Sequence, residues 1–121
     1  MSTAIVIVDH GSRLSAANQV VEEVARLVRA RVGERAAIHF AHMELCEPDL
    51  AQAIDAAVQA GASSVVIQPL FLVPGRHASR DIPALVDAAR QRHVSVTFRM
   101  GDVIGADPLL AELILQRCGL P

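Results

Sequence analysis

The chain has 121 residues, 52% of them hydrophobic, and a formal net charge of −2, which fits one domain with a sizeable apolar core. All eleven basic residues are arginine and only 2% of residues are aromatic, so the sequence offers neither a broad cationic surface nor a stacking platform for nucleic-acid bases. The lack of lysine excludes P-loop, Schiff-base and phospho-receiver chemistry.

The first element is the continuous apolar, β-rich run Ala4, Ile5, Val6, Ile7 and Val8, which reads as a strand buried on both faces and ends in Asp9-His10-Gly11-Ser12-Arg13. From Ser15, taken as an N-cap, the residues Ala17, Val20, Val21, Val24, Leu27 and Val28 recur at helical spacing until Gly33. Residues 36–43 give a second strand. Glu44, Leu45, Cys46 and Glu47 then lead to Pro48, which suits the first helical position before the stripe Leu50, Ala53, Ile54, Ala57 and Val58. The third strand covers residues 65–68. A second apolar cluster, Leu70 to Pro74, is expected in a loop beyond the sheet that delivers Arg76, His77, Arg80 and Asp81 before Pro83 starts a helix. Ile82, Leu85, Val86 and Ala89 face inward on that helix. Residues 94–98 alternate as an edge strand, and Asp107-Pro108 opens a last helix through Leu110, Leu113, Ile114 and Cys118.

Four successive βα units demand a parallel sheet with right-handed crossovers. The expected fold is therefore α/β, a four-stranded parallel sheet of order 2-1-3-4 with helices on both faces, forming a single domain over residues 1–121. Ligands of such sheets bind beyond the carboxyl ends of the strands, at the switch point between strands one and three. Those strands lead to His10 and His77, so two histidines far apart in sequence are expected in one crevice.

Two imidazoles from different loops suit a divalent first-row metal and leave coordination positions open, as transfer chemistry requires. The plainer alternative makes each an ordinary loop histidine. Glu44 leaves strand two toward the same edge, as a third ligand or as a base. Arg13, Arg76 and Arg80 surround the mouth, either forking to substrate carboxylates or merely solvated. Gly11 and Gly75 allow backbone turns or close approach, and Leu72 belongs to the apolar wall. Cys46 reads as a small buried filler, and Glu47 as helix-start chemistry. His39 alternates within a strand, His93 caps a helix end, and His42 stays open between roles. No dinucleotide, P-loop or G-x-S-x-G motif occurs.

HGSR at 10–13, ELCEPDL at 44–50 and PLFLVPGRHASRDIP at 69–83 resemble the small class II tetrapyrrole chelatases, the sirohydrochlorin cobaltochelatase and ferrochelatase group often called CbiX. The resemblance runs in order from the first strand to DPLLAEL at 107–113. It implies insertion of cobalt, iron or nickel into sirohydrochlorin, a macrocycle bearing eight carboxylates, in cobalamin or siroheme biosynthesis. The metal is then a substrate, and no organic cofactor is needed. His10 and His77 match the family's paired histidines, as metal ligands and catalytic groups, and Glu44 matches its E-x-x-E-P segment. Ser12, Arg13, Leu72, Gly75, Arg76 and Arg80 are the expected substrate contacts. Longer relatives carry two such domains, so a single-domain chain implies a homodimer that rebuilds a two-lobed cleft. The competing class on the same residues is a metal or tetrapyrrole carrier, or an accessory domain, without turnover.

Two cysteines are too few for a disulfide framework, and the start MSTAIVIVDHG lacks a basic n-region. No apolar run approaches about 18 residues. Free thiols, a cytoplasmic setting and no membrane or nucleic-acid partner are the expectations.

Overall fold

The computed structural model describes residues 2–120. Strand β1 (Thr3–Asp9) lies between β2 (Ala37–His42) and β3 (Ser64–Pro69), and β4 (Thr97–Met100) completes a parallel sheet of order β2-β1-β3-β4. This is the order expected above, chosen among those that the βα pattern allows. A central strand must be apolar on both sides, and β1 is: Ala4, Val6 and Val8 enter one core while Ile7 enters another.

The larger core packs α2 (Leu50–Gln59) and α3 (Ile82–Arg92) on one face of the sheet, through Leu50, Ile54, Ile82 and Val86 against Val6, Val65 and Ile67. Ile54, Ile67 and Ile82 are fully buried, each contributing roughly 1.5–3 kcal/mol of transfer free energy. On the opposite face, α1 (Ser15–Val32) sets Val21 and Ala25 against Ile7 and Ile38. A reciprocal capping box between Asp49 and Gln52 fixes the start of α2, a device worth about 1 kcal/mol.

Several local expectations are corrected. Ser15 is already helical and Leu14 stands at the N-cap without a side-chain bond, because Asn18 holds the preceding turn by bonding both Ser12 N–H (2.9 Å) and Ser12 C=O (2.7 Å). Pro48 precedes the helix rather than opening it, since the Asp49 carboxylate supplies the cap. His77 does not sit in an open loop: His77–Asp81 form a π-helical turn continuous with α3. Pro83 lacks the N–H that would bond back into this turn, and the Ile82 N–H reaches His77 C=O instead, widening it. Strand β4 begins later than residue 94, because a turn in which Val96 N–H bonds His93 C=O takes up that stretch and leaves Val94 88% exposed.

The last helix, α4 (Pro108–Arg117), starts where expected, with Asp107 accepting from Leu109 N–H. Its apolar residues do not turn inward. None is buried, and Leu109, Leu113, Ile114 and Leu115 are exposed, because both cores close without it. Among the described residues no helix is long and apolar enough to cross a membrane.

Candidate metal-binding and catalytic site

His10 is the first residue beyond β1. The chain turns at Gly11, whose φ of +88° lies in the left-handed region; a Cβ there would stand 1.9 Å from the Glu44 carbonyl oxygen, so only glycine fits. Beyond β3, Leu70 N–H still donates to Val8 C=O at 2.8 Å, which keeps the chain against β1 for one more residue and brings Phe71 beside His10. The two rings stack with centroids 4.3 Å apart at 25°. Phe71 is buried, so it forms a fixed backing for an exposed imidazole.

The π turn then presents His77, whose ring centroid lies 4.9 Å from that of His10. Two imidazoles sharing one tetrahedral ion at metal–nitrogen distances of about 2.0–2.1 Å hold their ring centres about 5 Å apart. The observed spacing therefore suits a shared ion. His77 Nδ1 lies 2.9 Å from Asp81 Oδ2, which leaves Nε2 as the nitrogen that could bind an ion, in the carboxylate–histidine arrangement common around bound metals.

Glu44 is tied to His10 through the backbone, its N–H donating to His10 C=O at 3.0 Å, while its side chain is exposed. Among the described residues no three His, Cys, Asp or Glu side chains converge on one metal position, so Glu44 stands next to the histidine pair without completing a ligand triad.

Arg13, Arg76 and Arg80 are exposed, and none of them is engaged by a carboxylate among the described residues. Leu72 is exposed beside the site, whereas Leu70 is half-buried and Phe71 enters the core, so only part of the apolar cluster forms an outer wall. Ser12 uses its hydroxyl oxygen locally, accepting from Leu14 N–H at 3.0 Å. Gly75 has neither a positive φ nor a crowded Cβ position; its carbonyl accepts from Ser79 N–H and Oγ–H and so anchors the π turn. Cys46 is half-buried rather than a buried filler, and Glu47 accepts from Gln52 at the start of α2.

The other histidines lie elsewhere. His93 Nε2 lies 2.7 Å from Asp55 Oδ1, joining α3 to α2. His39 sits half-buried on β2, its pKa lowered by burial and then by the neighbouring Arg29. His42 is buried against Asp9, Nδ1 to Oδ1 2.6 Å. Asp9, His42, Phe71 and Asp81 adjoin the site; from sequence Phe71 reads only as part of the apolar wall, Asp81 only as delivered by the same loop, and His42 stays open. Asp81 had a readable signal, four residues after His77 and adjacent to it on a helical turn; the Asp9–His42 pair emerges only from strand register.

A family model, CbiX, matches residues 4–119. The chain is 37% identical over 113 residues to the chloroplastic sirohydrochlorin ferrochelatase of Arabidopsis thaliana, covering 93% of this chain and 50% of that protein. It is 34% identical to the sirohydrochlorin cobaltochelatase of Methanopyrus kandleri, covering 94% of this chain and 93% of the relative. The sirohydrochlorin chelatase SirB from Bacillus subtilis subspecies spizizenii, solved in complex with cobalt, superposes with a TM-score of 0.90 at 30% identity, over 98% of this chain and 50% of SirB. The chain thus spans half the length of the plant and Bacillus proteins and nearly all of the Methanopyrus one.

Proposed function

The chain belongs to the CbiX family, and on that premise we propose that it is a sirohydrochlorin chelatase, inserting divalent cobalt or iron, or nickel, into the macrocycle for cobalamin or siroheme biosynthesis. The observation that carries the reading is the His10–His77 pair, 4.9 Å between ring centres and open to solvent on one side.

Insertion requires an ion that exchanges ligands, a ring pressed out of plane, and the loss of two N–H protons as the ion becomes bound to all four ring nitrogens. His10 and His77 Nε2 hold the ion through two positions only, leaving the others for water and then for pyrrole nitrogens. Glu44, joined to His10 by backbone and open to solvent, or one of the two histidines accepts the protons one at a time and releases each to water. Arg13, Arg76 and Arg80 pair with substrate carboxylates, and Leu72 with its neighbours presses the ring face. Ser12 and Gly75 contribute backbone at the edge of the site. The metal is a substrate, and no step calls for an organic cofactor. We read the chain as one chelatase-like unit. Its two thiols are free, which fits the cytoplasm.

One wall does not enclose a macrocycle. We infer a homodimer in which a second copy supplies the facing wall, a reading supported by the exposed apolar residues Leu72, Val73, Leu113 and Ile114.

The test is to mix purified protein with sirohydrochlorin and cobalt, ferrous or nickel ion, and to follow the absorbance change of metallation. Acceleration with at least one ion, lost in His10→Ala and His77→Ala, is the expected result. Tight binding of metal or tetrapyrrole without acceleration would instead make the protein a carrier.

A further inference from the structure

His42 is the one buried polar or charged residue among the described residues, 1% exposed, and the chemistry above does not use it. Its partner Asp9 lies directly across from it in the β1–β2 register. We propose that the Asp9–His42 pair is a positioning clasp for the metallation centre, a role that rests on the chelatase reading.

The argument follows the two strands past their ends. After the side-chain bond between Asp9 and His42, Met43 N–H donates to Asp9 C=O at 2.9 Å, and Glu44 N–H donates to His10 C=O at 3.0 Å. The pair therefore sits one register step behind the two residues that handle ion and proton. On the other side, His42 N–H donates to Pro48 C=O at 2.9 Å, closing the base of the loop that carries Glu44. Within that loop Leu45 is held at φ +68°, a left-handed conformation unfavourable for a branched residue, so the loop needs support from its base. His42 grips the tip of β1 with its ring and the returning loop with its backbone.

A merely structural polar pair is the plain alternative. An apolar side chain of similar volume would fill the space without the desolvation cost of an imidazole and a carboxylate, so what the pair adds is geometric. A displacement of about 1 Å between reacting groups can cost about a hundredfold in rate.

The test uses the full chain with cobalt and sirohydrochlorin, and compares Asp9→Ala, His42→Leu and Asp9→Asn. Asn keeps an oxygen for the His42 N–H. The clasp predicts that Asp9→Ala and His42→Leu lower kcat at least tenfold, with the KM for cobalt nearly unchanged, and that Asp9→Asn recovers most of the rate. Hydrogen exchange at the Glu44 amide gives a readout independent of turnover: protection falls in Asp9→Ala and is kept in Asp9→Asn. Unchanged kcat in folded Asp9→Ala, or equal losses in Asp9→Asn and Asp9→Ala, overturns the clasp while leaving the chelatase reading intact. If the parent protein itself does not metallate, the chelatase reading fails, and an unaltered Glu44 exchange rate in Asp9→Ala removes the clasp as well.

Discussion

His77 and Asp81 face each other across one helical turn, Nδ1 to Oδ2 at 2.9 Å, and this bond decides which imidazole nitrogen points out of the protein. With Nδ1–H donated to the carboxylate, Nε2 is the nitrogen that keeps a lone pair. Removing the carboxylate frees the ring to rotate and to change tautomer. Asp81→Ala is expected to weaken cobalt binding about 10–100-fold, with Asp81→Asn intermediate, as read by titration of the visible cobalt absorption. Equal affinity in Asp81→Ala would separate His77 from the metal.

Phe71 makes a distinct contribution through its stack on His10. Leucine at 71 keeps an apolar side chain in the core but loses the flat face, so Phe71→Leu is expected to cost less than about 1.5 kcal/mol of stability in urea unfolding. Its metallation rate should nevertheless fall several-fold, because the His10 ring has lost its backing. A variant with reduced stability and full activity would make the stack a packing feature alone.

Gly11 carries the tightest approach near the site. Its φ of +88° and the Glu44 carbonyl 1.9 Å from a would-be Cβ leave no cheap relaxation, since the obstacle is backbone. Gly11→Ala is expected to destabilise the fold by about 2–4 kcal/mol, combining left-handed strain with overpacking. Gly75→Ala, where nothing lies within 4 Å of the added carbon, serves as the control and should unfold at nearly the parental denaturant midpoint.

The features readable from sequence are those set by local chemistry. The run Ala4 to Val8 has no polar face and fits only a central strand, and the rule that ligands gather at strand carboxyl ends joins His10 to His77. The π turn was not readable, because it depends on how Pro83 withholds a donor from a turn whose other end is tied at Gly75. The Asp9–His42 bond was not readable either, since it joins residues 33 positions apart through a register that only the paired strands define. Helical periodicity marked an apolar stripe on α4 correctly, but periodicity does not say whether the surface that covers it belongs to the same chain.

Away from the site, Asp55 couples stability to pH. Its carboxyl is held below the usual value, first by the hydrogen bond with His93; burial opposes this, and the Arg92 guanidinium adds to the lowering. A lowered folded-state pKa means that the unfolded chain binds the proton more tightly. The stabilisation is therefore present above about pH 3.8 and lost as pH falls through the lower folded-state value. Asp55 is partly exposed, so the effect is modest. Asp55→Asn should melt a few degrees below the parent at pH 7, and the gap should close under more acid conditions. A gap of constant size down to pH 2 would assign the loss to packing between α2 and α3 instead.

Assembly gives the last prediction. Helix α4 exposes Leu109, Leu113, Ile114 and Leu115 at 40–74%, and Leu72 and Val73 stand out beside the histidine pair at 56% and 71%. Ile104, Leu109, Leu110 and Leu113 line a further apolar depression at the start of α4. Left in water, this much apolar surface favours self-association. The SirB chain with cobalt is twice as long as the region it shares with this chain, so there the same unit has further polypeptide available to cover it. The proposed homodimer predicts that a second copy covers it, with a two-fold axis that sets one histidine wall against another and buries about 1,200–2,000 Å² in total. Light scattering at micromolar concentration is expected to give a dimer. Leu113→Asp should shift it toward monomer and lower metallation in parallel, whereas Leu72→Asp, nearer the ring, should lower metallation more than association. A fully active monomer would refute the shared cleft, because the sheet edge of one copy would then suffice to bend and metallate the ring.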